Sequence, residues 1–189
     1  MTQHSVKAGL KHFKERGIKA ASSKVHQLHC RDTFQPVNPG DLSPEELDEV
    51  PESHVFLKDE RDETVKGRVV AGGDKQRGKI DELEASSPTA ALESALLTAV
   101  INAHEGSDVA VVDIPNAFVQ TRLERNKDKA IVRLGGKLAE LLVKAAPEIC
   151  TKCVMINKKG ETVLCVRLLN ALCGIMKAVL LCCQHLSRI

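Results

Sequence analysis

The sequence predicts an α+β fold, and three features of the chain carry this prediction. Residues 54–58 and 65–72 are rich in β-branched and apolar side chains and flank a charged turn, which is typical of a β-hairpin. Apolar residues recur at helical spacing over residues 88–104 and predict an amphipathic helix. The apolar run of residues 109–112 ends at Asp113 and is typical of a buried strand with a charge at its end. A hairpin, one long helix and a further strand together indicate the α+β class.

Composition and length restrict the class of protein. Hydrophobic residues make up 43% of the 189 residues and charged residues 28%, which is ordinary for a globular protein. The net charge of +2 gives no global indication of nucleic-acid binding, so such a signal must be local. No stretch approaches the roughly 20 apolar residues that cross a bilayer, and the N-terminus lacks a signal-peptide core. Because the seven cysteines have no framework spacing, we expect an intracellular, reduced protein without a membrane partner.

The chain is poor in aromatic residues, with no Trp, no Tyr and four Phe. Aromatic side chains bury large areas and dominate many cores. We therefore expect a lean aliphatic core and marginal stability of the chain taken alone.

The N-terminal segment predicts an amphipathic helix over residues 1–24, because its apolar residues recur at spacings of four and three. Gly9 and Gly17 are expected to interrupt it. A basic amphipathic start also fits a transit peptide, but Glu15 and the missing cleavage pattern argue against that interpretation.

Residues 36–51 form a connection rich in turn formers. Within it, Ser43 as N-cap and Glu46 three residues later predict the start of a short acidic helix. We divide the chain into an N-terminal helical and linker segment, residues 1–53, and a main domain, residues 54–189.

The second half of the chain predicts several short elements. Strands are expected at residues 130–134, 154–156 and 163–168, a helix at 138–144 and a turn at 158–161.

The segment from Val65 to Ile80 is locally basic. Five cations stand against one carboxylate, a surplus of four: Lys66, Arg68, Lys75, Arg77 and Lys79 against Asp74. Such a run is typical of a solvated face. On a hairpin beside a nucleotide site, the same side chains bind a triphosphate or a template backbone.

Two groups of metal-ligating residues are isolated in the sequence. His26, His29 and Cys30 lie close together, but no second ligand pair at finger spacing accompanies them. Cys150 and Cys153 form a lone Cys-X-X-Cys, which is weak evidence for zinc or for redox chemistry.

Asp113 has two interpretations from the residues alone. It caps the turn that Pro115 and Asn116 begin, since all three are turn-forming residues. Alternatively it serves a metal or a reaction, because a carboxylate at the end of a buried strand is costly unless it is paired or metal-bound.

Four segments resemble, in order, motifs of the reverse transcriptases of copia-type retrotransposons. Residues 109–120 are similar to the first catalytic motif, in which an Asp and an Ala-Phe pair follow a hydrophobic strand. Residues 65–73 resemble the second strand of the fingers hairpin, and residues 84–89 a Phe-Ser-Pro-Val helix start. Residues 166–175 resemble the motif Lys-Leu-Lys-Lys-Ala-Leu-Tyr-Gly-Leu. The resemblance extends over residues 24–189.

The C-terminal motif departs from the family pattern. Cys173 stands where the family has Tyr, and Ala178-Val179 stand where it has Ser-Pro. Cys182 and Cys183 replace two aromatic residues. These departures account for the scarcity of aromatic residues and weaken the expectation of nucleotide contacts in this segment.

The resemblance implies a partial right-hand polymerase: a fingers hairpin, a long helix and an incomplete palm sheet. It implies an RNA-directed DNA polymerase fragment that uses Mg²⁺, with a template–primer of RNA or DNA and a deoxynucleotide as partners. Asp113 matches the first catalytic carboxylate and metal ligand, and Ile114 would offer its carbonyl to the metal. Phe118 matches the aromatic under the deoxyribose, and Lys66 and Arg68 are the triphosphate-binding candidates.

The chain is not expected to polymerise alone. It contains no adjacent Asp-Asp pair, which the family carries on a later hairpin, and a single carboxylate does not hold two Mg²⁺ ions well. The incomplete palm sheet exposes an edge and predicts self-association. Two alternatives stay open: a non-catalytic remnant that binds nucleic acid, and an unrelated α+β domain whose Cys150 and Cys153 bind metal.

Overall fold

The computed structural model describes residues 2–73, 86, 90–124 and 130–188. Helices and one mixed sheet pack together within them, which confirms the α+β class. The helices are α1 (Val6–Cys30), α2 (Pro44–Glu49), α3 (Leu92–Glu105), α4 (Ala117–Gln120), α5 (Lys137–Ala145), α6 (Pro147–Cys150) and α7 (Ala178–Leu186), with 3₁₀ turns at Pro39–Asp41 and Thr151–Cys153. The strands are β1 (Gln3–Ser5), β2 (Phe34–Pro36), β3 (Glu52–Asp59), β4 (Val65–Ala71), β5 (Ile131–Gly135), β6 (Val154–Ile156) and β7 (Thr162–Leu168).

The sheet is built on its two long strands β3 and β7. β3 pairs with β4 along one side and with both β1 and β5 along the other. β7 pairs with β5 on one side and with β6 and β2 on the other. The pair of β3 and β5 is parallel, and the other described pairs are antiparallel. β1 and β5 therefore lie end to end beside β3.

The predicted hairpin is confirmed as β3 and β4, with Val55 opposite Val69 in the register. The charged turn closes through a bond from the Glu60 amide to the Thr64 carbonyl, 2.9 Å long. Arg16 of α1 donates to the Glu63 carbonyl of this turn. The hairpin is thus fixed against the first helix at its tip.

The interruption of the first helix does not lie where the sequence predicted it. α1 runs to Cys30, and its non-helical residue is Lys14, with φ of 50° and ψ of −124°. Gly9 and Gly17 are helical instead, which corrects the expectation that they break the helix. A Cβ on Gly9 would lie 2.9 Å from the side chain of Leu57, so the missing side chain lets α1 approach β3 closely.

The connection to β3 contains the short helix expected from its sequence. The Glu46 amide donates to the Ser43 hydroxyl at 3.1 Å, and the Ser43 amide donates to the Glu46 carboxylate at 2.9 Å. This reciprocal pair is a capping box, which satisfies two amides that would otherwise lack partners. The predicted strands of the second half and the helix α5 are also confirmed.

The buried strand predicted at residues 109–112 is wrong. The segment carries no strand pairing within the described part, and Val111 and Val112 are 96% and 78% exposed. An apolar run becomes a strand only beside a free strand edge. Both sides of the long strands β3 and β7 are already occupied, and the edge of β4 that stays open upstream of Ala71 in the described part carries Lys66 and Arg68, which discourage a further strand.

Helix α3 confirms the helix predicted from residue 88, but it begins only at Leu92, after the non-helical residues 90 and 91, and the rest of the described chain does not cover it. It ends at Gly106, whose left-handed φ of 68° closes the last turn. Leu92, Leu97 and Val100 are each more than 60% exposed. The first predicted residues of this helix, 88 and 89, lie outside the described residues.

The core lies between one face of the sheet and the helices α1 and α5. It consists of Leu, Val and Ala side chains, and Leu134 and Leu164 at its centre are fully buried. Phe13 and Phe34 are the buried aromatic residues among those described. The expectation of a lean aliphatic core is therefore confirmed.

None of the helices in the described ranges combines the length and the hydrophobicity that crossing a membrane requires. The proposed boundary between residues 53 and 54 stays a prediction.

Candidate nucleic-acid interface

The outer face of the β3–β4 hairpin carries basic and aromatic side chains. The register sets Phe56 opposite Arg68 and Lys58 opposite Lys66, so these side chains share one face of the sheet. The ring of His54 lies 6.3 Å from that of Phe56. We call these five residues the hairpin face. Cations beside aromatic rings suit a nucleic acid, because cations contact phosphates and rings stack on bases.

Like charges oppose each other on the hairpin face. Lys58 and Lys66 are cross-strand partners, an arrangement that destabilises a hairpin when nothing compensates it. The Lys58 ammonium lies 3.8 Å from the Glu60 carboxylate, which offsets part of this repulsion. A bound phosphate would offset the remainder.

Lys24 of α1 extends the basic surface around the edge of β4. Its ammonium donates to the side-chain oxygen of Asn116 at 2.6 Å and to that of Gln27 at 2.9 Å. Burial lowers the pKa of Lys24 from its usual 10.5, and repulsion from Arg31 and then Arg68 lowers it further. We call Lys24, Arg31 and Arg68 the basic cluster.

Close packing holds Lys24 at this position. A Cβ on Gly67 would lie 3.0 Å from the Ala20 carbonyl and 3.3 Å from the Cβ of Lys24, so α1 passes directly over β4 here. The contact with Asn116 then joins α1 to the turn that follows Asp113. Lys24 thus lies between Gly67 of β4 and Asn116 in the turn that follows Asp113.

Asp113 itself lies exposed on the unpaired segment, and Ile114 beside it is 37% exposed. Within the described ranges no hydrogen bond or ion pair reaches the Asp113 carboxylate. The turn at Pro115 and Asn116 does form, and Asn116 adopts a left-handed φ of 55° where α4 begins. The interpretation of Asp113 as the cap of this turn is therefore not confirmed.

Phe118 packs in a different direction from the hairpin face. It is half-buried and lines a groove with Val179, Cys182 and Leu186 of helix α7. Helices α4 and α7 contact each other at this groove.

The donors around Asp113 do not by themselves fit the two Mg²⁺ ions that the resemblance implies. In the part of the chain that is described, no three His, Cys, Asp or Glu side chains converge in a way that could hold a metal ion. Asp113 and the Ile114 carbonyl would supply two oxygens, whereas Mg²⁺ takes six in an octahedron. A two-metal centre at this position would need carboxylates from beyond the described residues.

The cysteines and histidines that the sequence suggested as metal ligands differ in how deeply they are buried. Cys150 is fully buried, and burial is the main cause that raises its pKa to about 11. Cys153 beside it is half-buried and free. The Cys30 sulfur lies 3.4 Å from Nε2 of His26, and this pair is exposed on α1.

The sequence alone did not identify three residues of this candidate interface: Lys24, Arg31 and Asn116. Lys24 did carry a signal, because it stands within the helical stripe of Ala21, Val25 and Leu28 that is otherwise apolar and buried. A charged residue in such a stripe needs a partner. The cations Lys75, Arg77 and Lys79 of the predicted basic run lie outside the described residues.

Comparison of the chain with models of protein families, with curated proteins and with solved structures gives no match to any of them.

Proposed function

We propose that the chain is a fragment of a copia-type reverse transcriptase, made of the fingers and part of the palm, which binds a nucleic-acid backbone and does not polymerise alone. The basic cluster is the observation that supports this proposal best. Burial lowers the pKa of Lys24, and repulsion from Arg31 and then from Arg68 lowers it further, so these three cations act on one another near the edge of the hairpin. Such an arrangement of cations favours the binding of an anion.

A polyanion would stabilise this arrangement for a simple reason. Phosphate contacts with Lys and Arg release condensed counterions and supply most of the sequence-independent affinity for nucleic acids. Arg31 and Arg68 are exposed, and a guanidinium makes bidentate contacts with phosphate oxygens. Phe56 and His54 on the adjoining face would stack on unpaired bases, so single-stranded RNA or DNA is the expected ligand.

Salt-dependent binding of a labelled single-stranded RNA tests this function. In fluorescence anisotropy titrations at several salt concentrations, the double variant Lys66→Gln with Arg68→Gln should bind more weakly. Its plot of log affinity against log salt should be shallower by about 1.4, because each lost contact with a single strand removes about 0.7 from the slope.

The matched control is Lys152→Gln with Lys159→Gln, which removes the same charge from two exposed lysines outside the hairpin face. Equal losses in both double variants would mean that net charge alone drives binding, and the proposed interface would be rejected.

Catalysis needs a separate experiment. Primer extension on a homopolymer RNA template with Mg²⁺ should show no product from the chain or from its Asp113→Asn variant. Extension that disappears in Asp113→Asn would overturn the inactivity of the fragment. RNA binding without extension by either protein would leave a non-catalytic binding remnant as the functional description.

A further inference from the structure

Two helices of the fold begin at one cavity. β1 runs antiparallel to β3 and β5 runs parallel to it, so both strands point their carboxyl ends at the same gap beside residues 54–55. β1 continues directly into α1, and β5 continues into α5. The first residues of these helices, 5–7 and 136–138, line a cavity of about 420 Å³ in that gap. We call it the two-helix cavity.

Neither helix satisfies its N-terminal amides with a side chain. Ser5 at the N-cap of α1 makes no capping hydrogen bond, and Gly136 at the N-cap of α5 has no side chain to offer. The first turn of α1 contains no acidic residue, and that of α5 contains Glu140, which is paired with Lys137. Backbone amides that no side chain caps and the positive ends of two helix dipoles therefore meet at the cavity from two directions, and both attract an anion.

A buried hydroxyl points to a ligand independently of the helices. Ser53 lines the two-helix cavity, is 8% exposed, and lies on the face of β3 that α1 and α5 cover. Its buried Oγ has no hydrogen-bond partner within the described residues. Buried hydroxyls nearly always have a partner, because one without it costs folding free energy. An oxyanion in the cavity would supply the missing acceptor.

Cations outnumber carboxylates by three to two among the residues that line the cavity. Lys7, Lys137 and Arg133 line it, together with the carboxylates of Glu52 and Glu161. Glu161 accepts hydrogen bonds from Asn157 at 3.1 Å and from Lys7 at 3.4 Å, so its charge is already compensated. The Lys137 ammonium is 2.8 Å from the carboxylate of Glu140, which lies outside the lining.

The size and the remaining lining indicate an organic group beside the anion. A volume of about 420 Å³ falls within the range of small-molecule sites and exceeds the size of a single phosphate. Val55, Leu138, Met155 and Val163 give the cavity an apolar wall. We propose that the two-helix cavity binds a small phosphomonoester, with its phosphoryl group at the two helix N-termini and Ser53 and its organic group on the apolar wall.

Phenyl phosphate, with phenol and inorganic phosphate as its two halves, tests this proposal. In isothermal titration calorimetry, phenyl phosphate should bind saturably and at least tenfold more tightly than inorganic phosphate, and phenol should not bind. The variants Ser53→Ala and Lys137→Met should each weaken phenyl phosphate at least fivefold. Circular dichroism of both variants verifies the fold, and Ser53→Ala removes one oxygen only.

Two controls separate this site from the hairpin face. Lys152→Met removes an exposed lysine outside the cavity and should leave phenyl phosphate binding unchanged. The double variant Lys66→Gln with Arg68→Gln should lose RNA affinity and keep phenyl phosphate affinity. Absence of saturable binding, or binding that Ser53→Ala and Lys137→Met leave intact, would overturn the proposal whatever the outcome with RNA.

Discussion

The ammonium of Lys24 and the side-chain oxygen of Asn116 lie 2.6 Å apart, although 92 residues separate them in the chain. This bond joins the first helix to the turn after Asp113, at the edge of the hairpin. It brings a lysine with a lowered pKa to the surface where two arginines already repel it. The pKa of Lys24 therefore responds to the other two charges of the basic cluster.

The pKa of Lys24 should rise when either arginine is neutralised. Arg31→Gln should raise it more than Arg68→Gln, because Arg31 is the stronger of the two repelling charges. Nuclear magnetic resonance of the Lys24 side chain across a pH titration measures the change. A pKa that is equal in all three proteins would contradict the existence of the cluster.

The same titration has a consequence for stability. The folded pKa of Lys24 lies below the unfolded one, so the unfolded chain binds more protons between the two values. The free energy of unfolding contributed by Lys24 therefore increases as the pH rises from its lowered pKa towards 10.5. Urea unfolding at several pH values should show a smaller increase in Arg31→Gln than in the unchanged chain.

Gly174→Ala should be strongly destabilising. Gly174 has a φ of 96°, and a Cβ there would collide with the Ala71 carbonyl oxygen and approach Val70 Cγ1 to 2.7 Å. Left-handed strain costs about 1–2 kcal/mol and overpacking about 1–3 kcal/mol, so a loss of roughly 2–5 kcal/mol is expected in urea unfolding.

Gly160→Ala separates these two causes. Gly160 also has a positive φ, 75°, but a Cβ on it meets no atom within 4 Å. Gly160→Ala should therefore lose only the stability that the backbone strain costs, about 1–2 kcal/mol. Equal losses in the two variants would show that the contact of Gly174 with β4 contributes nothing.

Cysteine reactivity should follow burial. At pH 8 the exposed Cys30 and Cys173 should react rapidly with iodoacetamide, and the buried Cys150 and Cys165 slowly. Burial raises the pKa of Cys150 to about 11, so this thiol is protonated and unreactive near neutral pH. Mass spectrometry of the labelled peptides gives each rate, and labelling in urea, where the differences should vanish, is the control.

The raised pKa of Cys150 also predicts a loss of stability in alkali. The folded chain holds this proton more tightly, so its contribution is complete below pH 9.0 and is lost as the pH rises from 9.0 to about 11. A different result would favour the metal-binding interpretation of these cysteines. In that case the chain would bind stoichiometric zinc, and the zinc would be lost in the variants Cys150→Ser and Cys153→Ser.

The chain should self-associate through its uncovered apolar segment. Val111 is 96% exposed within a stretch that has no secondary structure and no strand partner in the described part. A second copy could pair with this stretch and bury its side chains. Val111→Lys should weaken association by about tenfold in sedimentation velocity, because burying one valine contributes about 1.5 kcal/mol.

Ser107→Lys is the matched control for this variant, since it adds the same charge at an exposed position of the same connection. If Ser107→Lys weakens association equally, charge repulsion accounts for the effect. The exposed segment is then not the interface.

Local signals made much of the fold predictable. The hairpin followed from two strand-like segments around a charged turn, and α2 followed from Ser43 and Glu46. The segment 109–112 was not predictable in the same way, because an apolar run forms a strand only if a distant part of the chain leaves an edge open. The contact of Lys24 with Asn116 likewise depends on packing of α1 over Gly67, which no local pattern encodes.

The edge of β4 carries side chains that matter both for the proposed binding of phosphates and for aggregation. The segment after β7 covers only its last residue, where the Ala71 amide donates to the Cys173 carbonyl at 2.8 Å. Upstream of Ala71, within the described part of the chain, nothing pairs with this edge, and its side chains include Lys66 and Arg68. Charged residues on a free edge keep other strands from adding to it. The two cations that would contact phosphates therefore also oppose aggregation. Neutralising them should weaken nucleic-acid binding and at the same time make aggregation through this edge easier.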